Sequence, residues 1–259
     1  MARFDDKAVL VTGAASGIGA AVALMFAKEN ARLALIDKPG SPIPEEIGRQ
    51  SSAIIPCDLG DPVAAENAVS RCQAALGGID IVSYNAGFPV QGPRSDITPD
   101  EWRAHFDADV HGIYFLIRAA RAALMAARGC VVNTTSIAAL GGDPGMPAYD
   151  AAKGAALQLT NSLALELGPH GVRVNSVCPT LIKSPNAEPV ERDAELYERV
   201  TGSIPLRRIG EPEEVAAAVL WLAGPEASYI NGVALPVDGG LSASNGQPDM
   251  RNHHRQGPN

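Results

Sequence analysis

The chain has 259 residues, of which 46% are hydrophobic and 19% charged, with a formal net charge of −8. That balance suits one compact domain with a sizeable core, and the acidic total argues against a nucleic-acid partner, which would need a basic stripe. No apolar run reaches the roughly 18 residues of a membrane span, and the charged start from Met1 to Lys7 does not read as a signal peptide, so a cytoplasmic protein without membrane contact is expected.

Val9-Leu10-Val11 opens an alternation of strand-length apolar runs with longer stretches of helical period. An Ala-rich helix from Ile18 to Lys28 follows, then strands at Leu33-Ala34-Leu35-Ile36 and Ala53-Ile54-Ile55. A helix is predicted from Asp61 to Leu76, a fourth strand at Ile79-Asp80-Ile81-Val82, and one long helix from about Asp100 to Ala127. Cys130-Val131-Val132 starts a fifth strand, a helix runs from about Pro147 to Leu167, and Val172 to Val177 makes a sixth strand. Glu213 to Leu222 is helical and Val233-Ala234-Leu235 forms a seventh strand. Continuously apolar strands belong to a sheet covered on both faces, and their alternation with helices implies parallel order. The fold class is therefore α/β, a doubly wound parallel sheet in a single domain over residues 1–241, with its ligand crevice beyond the carboxyl ends of the strands. Pro39 to Pro44 and Leu181 to Ser203 read as irregular, the second as a substrate lid, and 242–259 as a polar tail. Cys57, Cys72, Cys130 and Cys178 have no CxxC pairing and read as reduced, buried small hydrophobes.

Directly after the first strand stands Thr12-Gly13-Ala14-Ala15-Ser16-Gly17-Ile18-Gly19. Glycines there permit a tight strand-to-helix turn and let the backbone approach a pyrophosphate at a helix N-terminus, where free N–H groups and the helix dipole favour anions. The spacing G-x-x-x-G-x-G is not the usual G-x-G-x-x-G, and the Lys-Ser/Thr of a P-loop is missing. Asp37 ends the second strand, where a carboxylate accepts hydrogen bonds from ribose hydroxyls and repels a 2′-phosphate. That favours NAD over NADP, although Lys38 beside it can blunt the preference.

Ser136 lies just past the fifth strand, Tyr149 follows it, and Lys153 sits four residues beyond Tyr149, on the same helix face. A phenol ordinarily ionises near pH 10 and is a poor base at neutral pH. A neighbouring ammonium and an oxidised nicotinamide both stabilise its phenolate, and a serine can hold the substrate oxygen meanwhile. Together with the glycine turn, these residues resemble the short-chain dehydrogenase/reductase family, in its glucose/ribitol dehydrogenase-like group. The resemblance spans about residues 5 to 241. It also rests on Asp58-Leu59, Asn85-Ala86-Gly87, Asn175-Ser176-Val177 with Pro179, the run from Ile204 to Val215, and Val237-Asp238-Gly239-Gly240.

The resemblance implies a nicotinamide-dependent oxidoreductase on CH–OH donors, tetrameric through helices near 104–127 and 151–165. By it, Asp58 and Leu59 flank the adenine, Asn85, Ala86 and Gly87 support the sheet against the cofactor, and Lys153 holds the nicotinamide ribose as well as tuning Tyr149. Gly13, Ser16, Gly17, Ile18, Gly19, Thr134, Thr180 and Ser184 join that cofactor set. Pro179 to Ser184 holds the carboxamide, Ile182 through its backbone.

Two positions depart from the family pattern. Asp109 stands where the family has a helix asparagine, whose backbone carbonyl holds a water linking the lysine to solvent. A carboxylate cannot donate as an amide can, but it can pair with nearby charge, so activity is expected to be retained and altered. Thr180 replaces the glycine after Pro179 and narrows the space near the nicotinamide, hydrogen-bonds to it, or is simple drift.

His105, His111 and His170 lack ligand spacing and read as surface or helix residues, His253 and His254 lie in the tail, and no metal site is expected. Glu191-Arg192-Asp193 reads as a solvated face, and Trp102 and Trp221 as packed between helices. Phe88 to Gln91, Ile137 to Met146 and the segment after Pro179 are the expected pocket walls, mostly apolar, for a small alcohol or ketone. Two rival readings stay open: a catalytically weak NAD-binding sensor or structural member, and a dehydratase or epimerase on the same scaffold.

Overall fold

In the computed structural model, which describes residues 2–88, 96–245 and 247, β1 (Ala8–Thr12) is buried at every position because both its faces are covered. Ala8 and Leu10 point into one core layer and Val9 and Val11 into the other, the period-two division of a pleated strand. β2 (Arg32–Asp37), β3 (Ser51–Pro56), β4 (Ile81–Tyr84), β5 (Cys130–Thr134), β6 (Arg173–Pro179) and β7 (Ala234–Val237) complete a sheet of order β3-β2-β1-β4-β5-β6-β7, parallel throughout. The order reverses between β1 and β4. Connections leave these two strands in opposite directions, so a crevice opens at their carboxyl ends.

The connections are α1 (Gly17–Lys28), the short α2 (Glu45–Gly48), α3 (Pro62–Leu76), α4 (Pro99–Phe106), α5 (Gly112–Ala127), α6 (Pro147–Leu167), α7 (Glu188–Arg192), α8 (Ala194–Ser203) and α9 (Pro212–Ala223). Buried residues of α1 and α9 pack on one sheet face, those of α3, α5 and α6 on the other. Local signals set the ends. Asp61 accepts from the Val63 and Ala64 amides and Pro62 follows it at the start of α3, whose left-handed Gly77 ends it. Thr98 and Glu101 form a capping box on α4.

Several expectations are corrected. The predicted single helix over about 100–127 contains a π-turn, Asp107–His111, between α4 and α5. Apolar periodicity is blind to one extra residue in a turn. A tertiary contact marks the place instead: the Tyr84 hydroxyl donates to the Ala108 carbonyl at 2.7 Å, and a Cβ on Gly112 would strike the Tyr84 hydroxyl oxygen. The helical stretch Pro99–Ala127 also passes on length and composition as a membrane span, which the count of apolar runs missed. In this fold, Ile113, Leu116, Ile117, Ala120 and Leu124 of that stretch cover the sheet.

The segment 181–203 is not irregular, because a 3-10 turn at Pro185–Ala187, α7 and α8 occupy most of it. Trp102 and Trp221 are each 41% exposed rather than packed between helices, Trp102 stacking on Phe106 one turn along its own helix. All four cysteines are free and buried. Glu191, Arg192 and Asp193 are exposed, Asp193 capping α8 through the Leu196 amide. Pro89 to Gln91 of the expected pocket wall, and Gly246 and 248–259 of the tail with His253 and His254, lie outside the described residues.

Candidate active site

Because every strand runs the same way, the carboxyl ends of β1, β2, β4, β5 and β6 bring Thr12, Asp37, Tyr84, Thr134 and Pro179 to one edge of the sheet. The turn leaving β1 requires its glycines. Gly13 and Gly17 adopt φ of +66° and +54°, and a Cβ on Gly13 would lie 2.9 Å from the backbone of Asn85 and Ala86. A Cβ on Gly19 would collide with the Gly13 carbonyl. Ser16 occupies the N-cap of α1 without capping it, and is exposed. The first-turn amides around Gly17, Ile18 and Gly19 therefore sit in a cradle that side chains would fill, the geometry a pyrophosphate needs.

At the end of β2, Asp37 accepts from the Ala15 amide at 2.8 Å and the Lys38 amide at 2.7 Å, which fixes its carboxylate beside the glycine turn. The Lys38 ammonium lies over the Phe88 ring, 5.9 Å from its centroid. Asp58 is exposed, accepting from the Gly60 amide, and Leu59 is buried. These residues fit the adenosine end of a dinucleotide.

Asn85 braces the centre. The Asn85 and Ala86 amides donate to Thr12 Oγ1 at 3.0 and 3.1 Å, Asn85 Nδ2 donates to the Thr12 carbonyl, and Thr134 Oγ1 donates to Asn85 Oδ1 at 2.7 Å. One amide side chain thus ties β1, β4 and β5 together at the switch point. Thr12 was read as the head of the glycine motif, whereas Tyr84 was not singled out in the sequence. A hydroxyl ending an otherwise apolar strand was the available signal for Tyr84.

Tyr149 and Lys153 share a face of α6, the ammonium 5.7 Å from the phenol ring centroid. Lys153 Nζ donates to Asp109 Oδ1 at 2.9 Å, with the two residues 7% and 1% exposed. Burial pushes Asp109 upward, but the Lys153 charge, the nearby His105 and the hydrogen bond from Lys153 outweigh it, leaving the carboxyl below its ordinary range. Burial pulls Lys153 downward, and the charge of Asp109 overcomes that pull, leaving the amine above its ordinary value. Both partners are therefore ionised at neutral pH. Gly87 passes directly over the pair, where a Cβ would come within 2.8 Å of Asp109 Oδ1. Ser136 is buried at the N-cap of the 3-10 turn Ile137–Ala139, which packs on α6, and its Oγ accepts from the Ala138 amide.

His105 corrects the sequence reading. It is 8% exposed, with its Nδ1 3.7 Å from Asp109 Oδ2 and its ring 6.1 Å from that of Tyr149, whereas His111 and His170 are exposed as expected. The usable signal was the i, i+4 spacing of His105 and Asp109.

Beyond β6, Ile182 bridges Gly210: the Lys183 amide donates to the Gly210 carbonyl and the Gly210 amide to the Leu181 carbonyl. That parallel pattern turns the N–H and C=O of Ile182 itself the other way. Pro179 is buried and Thr180 half-buried, and a Cβ on Gly17 would lie 3.5 Å from that of Ser184, so this segment returns against the glycine turn. A cleft of about 550 Å³ borders Gly17 and Ser184 on the α1 and α9 side, but Ser136, Tyr149 and Lys153 do not line it. Among the described residues no group of three or more His, Cys, Asp or Glu is placed to hold a metal ion.

Comparison with known proteins agrees with this geometry. The family model described as enoyl-(acyl carrier protein) reductase matches residues 13–242. The chain belongs to the short-chain dehydrogenase/reductase family. It is 42% identical over 257 residues to meso-2,3-butanediol dehydrogenase of Serratia marcescens, covering 96% of this chain and 99% of that protein. It is 36% identical to cyclopentanol dehydrogenase of Comamonas testosteroni, covering 94% and 100%. Ligand-free aldohexose dehydrogenase of Thermoplasma acidophilum superposes with a TM-score of 0.86 at 31% identity, covering 96% and 98%. As a short-chain dehydrogenase/reductase of the glucose/ribitol dehydrogenase-like group, the protein is an oxidoreductase of CH–OH donors that uses a nicotinamide cofactor.

Proposed function

We propose that the protein is an NAD(H)-dependent dehydrogenase that interconverts a small, uncharged secondary alcohol and its ketone, with Tyr149 exchanging the hydroxyl proton. The carrying observation is the charge arrangement on α6: a buried ammonium, ion-paired with Asp109, set against the ring of Tyr149. A bound nicotinamide would supply the hydride acceptor or donor. Tyr149 takes the proton from the alcohol oxygen, or gives it back to the ketone. Lys153 favours the phenolate by its charge, and Ser136 donates to the same substrate oxygen. Asp37 accepts from the adenosine ribose and disfavours a 2′-phosphate, the basis for assigning NAD.

Relatives acting on butanediol and cyclopentanol support a compact neutral substrate, against which Phe88, Ile137, Leu140 and Met146 would form the apolar wall. The exposed apolar side chains Tyr114 on α5 and Leu165 on α6 support assembly through these helices, as a cytoplasmic homotetramer.

The test is turnover followed by reduced-nicotinamide absorbance across vicinal diols, cyclic alcohols and their ketones. Wild type is expected to act on at least one pair with NAD, and Tyr149→Phe to lose about 10²- to 10⁴-fold. The carboxylate on Lys153 favours one rival, a cofactor-binding protein with little turnover. Wild type and Tyr149→Phe equally inert throughout would establish that rival instead.

A further inference from the structure

Two buried polar atoms beside the Lys153–Asp109 pair are unused by the mechanism above. His105 Nδ1 and Asp109 Oδ2 have no hydrogen-bond partner, and they face one another at 3.7 Å. Leaving a buried polar atom unpaired costs about 1–3 kcal/mol. Each is the nearest remedy for the other, since a side-chain shift of under about 1 Å brings them within hydrogen-bond distance. Asp109 Oδ1 is already committed to Lys153 at 2.9 Å, so its second oxygen is what remains for His105.

The imidazole is also clamped in place. Its ring meets Phe88 edge-on at 4.8 Å and Tyr149 edge-on at 6.1 Å. The groups facing the His105–Asp109 pair are Tyr149 and Lys153 from α6, Tyr84 from β4, and Phe88 with Gly87 from the segment after β4. Lys153 is the one basic side chain among these. Tyr84, raised far above the ordinary phenol range by burial and then by the charge of Asp109, stays a donor to the Ala108 carbonyl.

We propose that His105 is a positioning residue for the reaction, donating from Nδ1 to Asp109 and thereby setting how much carboxylate charge is left to restrain Lys153 beside Tyr149. The proposal rests on the alcohol–ketone reading above. Its consequence follows from counting charge. With a neutral imidazole, Lys153 and Asp109 cancel beside the phenol. With an imidazolium the three sum to one positive charge, which favours the Tyr149 phenolate that removes the alcohol proton. Imidazole is the ordinary side chain whose charge changes between about pH 5 and 8. An imidazolium at this position would therefore aid alcohol oxidation as pH falls.

The test compares kcat and kcat/KM for oxidation of the best alcohol by wild type, His105→Phe and His105→Asn from about pH 9 down to about pH 6. Phenylalanine keeps the ring contacts with Tyr149 and Phe88 and loses the donor. Asparagine restores a donor near the Nδ1 position and cannot ionise. The wild type/His105→Phe ratio in kcat is expected to widen by about tenfold as pH falls, with little change in KM for NAD. His105→Asn should recover part of kcat at the alkaline end and show the same widening. Proton–nitrogen correlation spectra of histidine-labelled, cofactor-free protein should place the His105 proton on Nδ1 in wild type and on Nε2 in Asp109→Ala.

A constant ratio across the pH range, or a proton on Nε2 in the wild type, overturns the proposal while leaving the dehydrogenase intact. Wild type and Tyr149→Phe equally inert would instead remove the reading beneath it, and the positioning role with it.

Discussion

Replacing Asp109 by alanine isolates what the ion pair does for the fold. The carboxylate is 1% exposed and its Lys153 partner 7% exposed at 2.9 Å, so the substitution strands an ammonium where water does not reach it. Breaking a buried pair from one side costs about 3–5 kcal/mol. Putting methionine at position 153 as well removes the stranded charge, and the double variant should recover about 2 kcal/mol relative to the sum of the single changes.

The pH dependence separates this explanation from lost packing. In the wild type Lys153 is held above its ordinary 10.5, so its contribution is full below that value and is lost only as pH rises through the native one. Without Asp109 the downward pull of burial prevails, and the unfolded chain binds the proton more tightly than the folded one. Stability of Asp109→Ala then rises with pH, and its deficit against wild type should narrow between about pH 7 and about pH 10. Urea unfolding at fixed protein concentration, followed by tryptophan fluorescence, measures both quantities. A deficit below about 1 kcal/mol, or one that stays constant with pH, refutes the reasoning.

Three further changes have distinct signatures. Asp37→Ser removes the charge that opposes a 2′-phosphate, and the NADP/NAD ratio of kcat/KM should rise by at least about tenfold; an unchanged ratio would mean that Asp37 does not read the ribose. Tyr84→Phe deletes the 2.7 Å bond to the Ala108 carbonyl inside the π-turn, and thermal or urea unfolding should register a loss of about 1–2 kcal/mol. Glu214 is held down to about 2 by its hydrogen bond with Arg208, then by the Glu211 amide. Its contribution is present above 4.5 and lost as pH falls toward about 2, so the gap between wild type and Glu214→Gln should close on acidification. Because the side chain is 42% exposed, solvent screening keeps that gap near neutrality at about 1 kcal/mol or less.

The sheet was legible because its strands are short, continuously apolar and separated by helix-length segments. β1, β2 and β6 fall where Val9, Leu33 and Val174 put them, whereas β4 begins at Ile81, two residues after the start of the run that announced it. The glycine turn was legible too, since only glycine tolerates what positions 13, 17 and 19 demand. The π-turn was not, because it depends on the Tyr84 hydroxyl arriving from another element. The helices of 181–203 were hidden by proline and charge, which suit first turns and caps as well as they suit loops.

Around Tyr149 the sequence named Asp109 as a departure and foresaw a charge partner, which the structure identifies as Lys153. His105 was passed over because it has no metal-ligand spacing, and its i, i+4 relation to Asp109 was not weighed. What it faces is set by the crossing of α4 over α6.

A crystal structure with NAD and a non-reactive ketone analogue tests the central claim most directly. The account predicts Tyr149 Oη and Ser136 Oγ both within about 3 Å of the analogue's carbonyl oxygen, with the Asp37 carboxylate on the adenosine ribose. A well-ordered ternary complex in which the Tyr149 hydroxyl points away from that oxygen would contradict it.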